Sequence, residues 1–258
     1  SMYPAVLKEH IQKCKLATDK PFGVNVPLLY PNIEEHVQTI IDEKVPIVFT
    51  SAGNPKSYTA RLKEKGIKVV HVVSSSKFAL KAQDAGCDAV VAEGFEAGGH
   101  NGREETTTLC LIPSVREAID IPLIAAGGIG SGKAMLAAMI LGADGVQIGS
   151  RFLASYESSA HIDFKNRVLQ AEEGETKLTL KELTPVRLLD NAFSREIEAI
   201  YERKGTTEAL AAHLGRGRAK KGMFEGDLVN GELEVGQVSS MIKEIKQLVL
   251  ALEVVYNN

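Results

Sequence analysis

Between Pro21 and Phe152, short apolar runs rich in β-branched residues alternate with segments whose apolar positions recur every three or four residues. The first kind reads as buried strand, the second as amphipathic helix. The runs FGVNV (22–26), PIVFT (46–50), KVVHVV (68–73), DAVVAEG (88–94), PLIAAGG (122–128) and GVQIGS (145–150) are the predicted strands. Helices are predicted over 33–44, 58–66, 76–86 and 131–143, the second and third with Gly where a C-terminal cap belongs. A further helix is predicted at the start, over YPAVLKEHIQKCK (3–15). This alternation predicts an α/β fold around a parallel sheet.

Six strands on their own suit an open, doubly wound sheet, since a closed parallel barrel needs eight. The placement of unusual residues points the other way. Asn25, Ser51, Ser74, Glu93, Gly127 and Gly149 fall at or just past the C-terminal ends of successive strands. A barrel collects its active-site residues on one such rim, whereas an open sheet concentrates ligand contacts at one switch point. The expectation is therefore a (β/α)8 TIM barrel whose first two strands would lie upstream of Ser1. After Phe152 the pattern becomes helical and polar. Helices are expected over 161–174, 195–205 and 207–215, short extended pieces over 177–183 and 185–190, a loop-rich stretch over 219–236, and a closing helix over 237–255. On this reading residues 1–152 and 236–258 form the barrel, and 153–235 form a smaller helical and loop elaboration on the substrate side.

Composition narrows the function classes. The 258 residues are 44% hydrophobic and 24% charged with 23 Gly and 9 Pro, so they can bury a sizeable core without disulfides or structural metals. With 33 acidic against 30 basic residues, the chain lacks the broad positive field that binds nucleic acid or an anionic membrane. No apolar run approaches the roughly 20 residues that span a bilayer, which makes a cytoplasmic protein the expectation. Cys14, Cys87 and Cys110 are odd in number and have no C-x-x-C spacing, so each reads as a small hydrophobe and no metal site is expected.

The most specific segment for chemistry is AEGFEAGGHNG (92–102). Gly98 and Gly99, lacking Cβ, would let the backbone approach a flat ligand closely, and His100 would stand at the rim, as a surface-loop histidine or as a functional one. The segment PLIAAGGIGSGKAML (122–136) nearly spells a P-loop, but Ala134 stands where the magnesium-binding hydroxyl belongs, which disfavours a nucleoside triphosphatase. Its glycines still precede a helix N-terminus and could cradle a phosphate through backbone N–H groups. GVQIGSRF (145–152) offers a second such turn at Gly149 and Ser150. In a barrel, the last two strands are where phosphate is most often held.

FGVN (22–25), EGFEAGGHNG (93–102), PLIAAGGI (122–129) and GADGVQIGSRF (142–152) together resemble the superfamily of flavin-dependent nitronate monooxygenases and enoyl-acyl-carrier-protein reductases II. The resemblance implies an FMN-binding (β/α)8 barrel. It places Asn25, Glu93, Gly98, Gly99 and Gln147 along the isoalloxazine and ribityl chain, and Gly127, Gly128, Gly149 and Ser150 around the phosphate. Glu93, where nitronate oxidases typically carry Gln, together with GDLVNGELEVGQVSSMI (226–242), is similar to the reductase branch of the FabK type. That branch implies reduction of trans-2-enoyl-acyl-carrier-protein by NADH or NADPH through FMN in fatty acid elongation, with His100 as hydrogen-bond donor to the thioester oxygen or proton source to the α-carbon. It also implies an acidic carrier protein as partner, for which GRGRAKKG (215–222) is a docking candidate, a homodimer, and a monovalent cation near Glu96. Two alternatives stand beside it: oxidation of alkyl nitronates with O2, and a non-catalytic barrel that binds FMN or another phosphate ligand.

Overall fold

The structure is a computed structural model and describes residues 3–248. It opens with α1 (Pro4–Ala17), where Pro4 sits in the first turn and Leu7 and Ile11, one turn apart, are buried. There follow β1 (Gly23–Pro27), α2 (Ile33–Asp42), β2 (Ile47–Ser51), α3 (Thr59–Glu64), β3 (Lys68–Val73), α4 (Ser76–Asp84) and β4 (Ala89–Glu93). Then come a two-residue strand, β5 (Gly99–His100), α5 (Thr108–Arg116), β6 (Leu123–Ala126), α6 (Gly132–Ile140) and β7 (Gly145–Gln147). Each of the predicted strands is present. Among the described residues the larger sheet runs β1-β2-β3-β4-β6-β7, and a smaller one runs β5-β9-β8. A doubly wound sheet reverses its strand order partway; this order never reverses, which is the winding of a (β/α)8 barrel. Among the described residues no helix is long and apolar enough to cross a membrane.

Two compact units divide the chain: Ser1–Ala92 with Pro113–Ile124, and Glu93–Ile112 with Ala125–Asn258. In the first, β1 to β4 pair in parallel, with Val48 opposite Val69 and Val70 opposite Ala89. Val48, Val69, Val90 and Leu123 are wholly buried, as the apolar runs require of a sheet covered on both faces. The helix ends explain the even spacing. At the end of α3, Gly66 N–H donates to the Lys63 carbonyl and Ile67 N–H to that of Leu62; α4 ends the same way through Gly86 and Cys87. In both, a left-handed glycine turns the chain directly into the next strand. α2 closes with the same pair of bonds, from Lys44 to Ile41 and Val45 to Ile40, but there Lys44 occupies the left-handed conformation at φ 49°. A polar pair also lies in this core: Thr50 Oγ is 2.7 Å from His71 Nδ1, and both residues are buried.

The second unit continues with α7 (Ser150–Leu153), α8 (Ile162–Leu169), β8 (Thr176–Thr179), β9 (Val186–Leu189), α9 (Ala192–Glu202), α10 (Thr207–Leu214) and α11 (Arg218–Glu225). One apolar cluster gathers Phe164, Val168, Leu189, Leu233, Val235 and Ile242, and another Leu188, Phe193, Ile197, Ile200 and Leu210. Several expectations are corrected here. The stretch read as loop over 219–236 begins with α11, which is bounded by Gly217 and Gly226, both left-handed. α5 was not anticipated because Pro113 lies inside it; burial of Leu111, Ile112 and Val115 holds the helix across that missing donor. Over 237–247 the expected closing helix is instead a 3-10 turn at Gln237–Met241 followed by irregular chain with a bridge at Lys246, and helix is reached only at Leu248. The reason is competition for backbone partners: Tyr156 N–H donates to the Lys246 carbonyl and Lys246 N–H to that of Ala154, which takes those groups out of an i→i+4 ladder. The remainder of that expected helix, 249–255, lies outside the described residues. Cys87 is buried as a small hydrophobe should be, Cys14 partly so, but Cys110 is exposed.

Two stability measurements test this account. Lys44→Gly removes the steric cost of a left-handed non-glycine residue and is expected to stabilise the chain by ~0.5–1 kcal/mol in urea unfolding; a loss of stability would contradict the cap geometry. Burial pushes His71 down to about 4. The unfolded imidazole titrates near 6.5, so between these values the unfolded chain binds the extra proton. Native stability is full above pH 6.5, and up to ~3 kcal/mol of it is lost as pH falls toward 4. His71→Gln should flatten that part of the stability profile.

Candidate active site

The second unit contains a cavity of about 430 Å³ at the C-terminal ends of its strands, a volume suited to a cofactor-sized ligand. Part of its lining is polar and glycine-rich, from Glu93, Gly98, Gly127, Gly128, Gln147, Gly149 and Ser150. Phe152, Leu153, Ser158, Ser159, Ala160, Met223 and Phe224 also line it, and Glu96, Glu234, Val235, Gly236 and Val238 belong to the wall. Seven of the ten residues singled out in the sequence therefore line one cavity. The other three do not: Gly99 and His100 form β5, and Asn25 belongs to the first unit, on β1 opposite Phe49.

The glycines serve more than ligand approach. A methyl group built on Gly98 would come 2.4 Å from the carbonyl carbon of Val235 and 2.5 Å from the nitrogen of Gly236. The absent side chain thus admits another stretch of protein backbone, a second use for Gly98, which also lines the cavity. On the far side of that contact, Gln237 N–H donates to the Glu96 carbonyl at 3.0 Å and Gly236 N–H to Ser150 Oγ at 2.9 Å. Gly127, at φ +87°, presses on the carbonyl of Gly94, whose N–H in turn donates to the Ala126 carbonyl. Gly149 differs: nothing lies within 4 Å of where its Cβ would be, so it presents open backbone to the cavity. With Gly127 and Gly128 at one strand end and Gly149 and Ser150 at the next, the cavity has a cradle that side chains would fill. These residues fit the phosphate and ribityl portion of FMN.

Glu96, considered as a cation ligand, is engaged with its neighbouring helix. Its carboxylate accepts from Thr108 N–H at 3.0 Å and stands 3.1 Å from Thr108 Oγ, capping the start of α5. Thr108 Oγ also lies 2.8 Å from the Gly127 carbonyl, so α5 is tied to the glycine turn. The segment between is held by Arg187, which is 1% exposed. Its Nε and Nη2 donate to the Phe95 carbonyl at 3.1 and 2.9 Å, its Nη1 donates to Thr176, and its guanidinium covers the Phe95 ring at 4.4 Å. In the sequence Arg187 was one residue of a short extended piece, with no local signal of this role.

Burial controls the carboxyls of the wall. It pushes Glu93 up to about 7, so near neutral pH the group is partly protonated and can donate as well as accept a hydrogen bond. Burial also raises Glu234, against the opposing pull of His100. Glu232, two residues away, is pushed up to about 7 by burial and by the charge of Glu234. Neither Glu232 nor Glu234 was singled out as a site residue, since 219–236 reads as a loop-rich stretch with no local signal that buries its carboxyls. His100 pairs across β5 with Val186 and its side chain is exposed. Of the basic run 215–222, Arg218 is structural: it donates to the carbonyls of Asn230, Leu214 and His213 and covers the Phe193 ring.

Comparison with known proteins adds to this geometry. Residues 2–253 match the family model described as nitronate monooxygenase. The chain is 32% identical over 246 residues to the (3aS,4S,5R,7aS)-5-hydroxy-7a-methyl-1-oxo-octahydro-1H-indene-4-carboxyl-CoA dehydrogenase of Rhodococcus jostii, covering 95% of this chain and 68% of that protein. The match to its Mycobacterium tuberculosis counterpart covers 57% of that protein's length. Among solved structures, FabK from Thermotoga maritima superposes with a TM-score of 0.94 at 41% identity, covering all of this chain and 81% of the other. The nitroalkane oxidase of Streptomyces ansochromogenes superposes with a TM-score of 0.83 at 27% identity, covering 98% and 84%.

A pair of variants separates the two uses of glycine. Gly98→Ala forces a methyl group into backbone and is expected to destabilise the cofactor-free protein by roughly 2–3 kcal/mol or more. Gly149→Ala meets open space and should leave stability within about 0.5 kcal/mol of the parent. Thermal unfolding of both, compared with the parent, checks this; equal effects would contradict the packing described.

Proposed function

Because this chain belongs to the nitronate monooxygenase family of flavin-dependent oxidoreductases, we propose that it reduces trans-2-enoyl-acyl-carrier-protein to acyl-acyl-carrier-protein with FMN and NAD(P)H. The observation that carries this reading is one cavity lined both by glycine turns and by Phe152, Leu153, Met223 and Phe224, in a chain 41% identical to FabK from Thermotoga maritima. FMN, when bound, supplies two-electron hydride chemistry between the nicotinamide and the β-carbon of the enoyl thioester. Everything else falls to the protein.

The turns at Gly127–Gly128 and Gly149–Ser150 hold the phosphate with backbone N–H groups, which need no deprotonation and do not reorganise. Glu93, poised between its two protonation states, offers a hydrogen bond to the polar edge of the bound ring system. The aliphatic acyl chain lies against Phe152, Leu153, Met223 and Phe224, so the 153–235 elaboration is the substrate side, and its apolar surface keeps water from the reacting carbons. As hydride reaches the β-carbon, negative charge grows on the thioester oxygen. A donor aimed there stabilises the transition state more than the ground state. His100, exposed on β5 directly after Gly98 and Gly99, is the residue assigned by family resemblance to that donation or to protonating the α-carbon. Arg216, Lys220 and Lys221 remain for an acidic carrier protein, although Lys220 also pairs with Glu225 at 3.0 Å.

The test is anaerobic reduction of the holoenzyme with NADH, followed by flavin reoxidation on adding crotonyl thioester, with an alkyl nitronate in parallel. Rapid reoxidation by the thioester is expected. Turnover of the nitronate with oxygen and inertness to the thioester would move the chain to the oxidase branch, and bound flavin without either turnover would leave a binding barrel. His100→Ala should retain FMN and lose about 10²-fold or more of the thioester-dependent rate.

A further inference from the structure

Between α7 and α8 the chain makes a turn over 154–161, and Ser158, Ser159 and Ala160 of that turn line the cavity. The turn is held by distant groups that bind its backbone. Arg151 Nη2 donates to the Ala154 carbonyl at 3.2 Å and to that of Glu244 at 2.9 Å, and Tyr156 N–H donates to the Lys246 carbonyl at 3.0 Å. Beneath it, the Lys165 ammonium donates to the carbonyls of Ser155 and Ser158, both at 2.7 Å. Lys165 belongs to the first turn of α8, so its side chain reaches back to chain that precedes its own helix.

Lysine is seldom buried unless an acid neutralises it. Lys165 is 5% exposed, and no carboxylate of the described residues pairs with it; its partners are the two carbonyls. It also lies near the positive end of the helix dipole, where a cation gains nothing. A methionine would fill nearly the same space with no charge to desolvate. What the ammonium adds is direction, because two short bonds from one nitrogen fix the separation of Ser155 and Ser158 and keep the turn from opening. The base of the clamp is rigid: Phe164 and Val168, which flank Lys165 on α8, are wholly buried in an apolar cluster, and Lys165 N–H donates to the His161 carbonyl at 3.0 Å. The far end of the turn carries the effect to a second part of the cavity. His161 N–H donates to the Met223 carbonyl at 2.8 Å, and the imidazole lies against Gly226, where a methyl group would come 2.3 Å from Nδ1. The turn thus also seats the end of α11, with Met223 and Phe224.

We propose that Lys165 is a positioning residue that sets substrate specificity: by drawing the Ser155 and Ser158 carbonyls together it fixes the Ser158–Ala160 wall and, through His161, Met223 and Phe224, at the width that admits the acyl chain. This rests on the reading of the apolar lining as the acyl site, and Lys165 itself is not part of that lining. The glycine turns assigned to the cofactor have separate supports, Ser150 Oγ from Gly236 N–H and the Gly127 carbonyl from Thr108 Oγ. Loss of the ammonium therefore acts on the substrate and leaves FMN in place.

Three variants test it. Lys165→Met removes charge and donors at nearly constant volume, Lys165→Gln keeps a donor for one carbonyl, and Lys165→Arg keeps the charge and donors for both. In hydrogen exchange of the isolated proteins, the segment 155–161 is expected to exchange about tenfold or more faster in the Met and Gln variants and near the parent's rate in Lys165→Arg. The segments holding Gly127 and Gly149 should be unchanged in all three. Parent-like exchange over 155–161 in a folded Met or Gln variant overturns the clamp whatever the enzyme's reaction is. In the holoenzyme, the two uncharged variants should bind FMN and accept hydride from NADH as the parent does. Their KM for a trans-2-octenoyl thioester is expected to rise about tenfold with little change in kcat, and Lys165→Arg should restore most of that affinity. Loss of FMN affinity in the same proportion, or failure of both uncharged variants to fold, would make the residue a general structural one and overturn the specificity role. If the parent itself ignores the thioester, the proposed function fails, and the exchange measurement still decides whether Lys165 holds this wall.

Discussion

Within the second unit, two backbones touch without side chains between them. Gly98 faces the Val235–Gly236 peptide at distances no Cβ could share, and Gly236 in turn lies against the Glu96 carbonyl and Ser150 Oγ. This contact joins the exit of β4 to a segment more than 130 positions later in the chain, and much of the cavity's polar lining is tied to it. Glu96 is fixed at its backbone by Gln237 and at its carboxylate by Thr108, and Thr108 reaches the Gly127 carbonyl. Ser150 is set by Gly236. The turns proposed to hold phosphate are therefore positioned by protein before any ligand arrives, which is the preorganisation a tight cofactor site requires.

Arg187 makes the arrangement costly to undo. A buried guanidinium is expensive to desolvate, and here the cost is met by bonds to the Phe95 carbonyl and to Thr176, by the Phe95 ring beneath it, and by the charges of Glu96 and Glu105. Because β9 carries Arg187 and also flanks both β5 and the Leu233–Glu234 segment, one strand sets the positions of Phe95, His100 and Glu234 together. The wall this creates is acidic and partly neutralised by burial, which raises Glu93 to about 7 and raises Glu234 as well. Carboxyls kept partly protonated can sit beside an anionic cofactor with less repulsion than ionised ones and can donate hydrogen bonds to it.

The apolar lining of the cavity comes from another source. Phe152 and Leu153 lie in the short helix that follows the last parallel strand, and Met223 and Phe224 come from α11. Leu153 and Met223 also pack against the cluster around Phe164 and Val235. The elaboration after β7 thus has its own core and offers the cavity that core's edge. A small change in its packing can reshape the space for a substrate while the glycine turns stay where they are, which separates the choice of substrate from the binding of cofactor.

What could be read from the chain itself is what depends on neighbours in sequence. The β-branched runs, the left-handed glycines after α3 and α4, and the glycine turns after β6 and β7 follow from local sterics and short periodicity, and they sufficed for the strand order and for seven of the lining residues. α5 escaped because its decisive contacts are burial of Leu111, Ile112 and Val115, which outweigh the local objection of Pro113. The first part of the expected closing helix, 237–247, differs for the same kind of reason: the backbone of Lys246 bonds to residues 154 and 156, far away in sequence. The partner of Gly98, the clamp of Arg187 and the seat of Glu234 against Gly99 were decided only in three dimensions. Each depends on a close approach between segments tens to hundreds of positions apart, and excluded volume and hydrogen-bond geometry act across such distances only after the chain has folded.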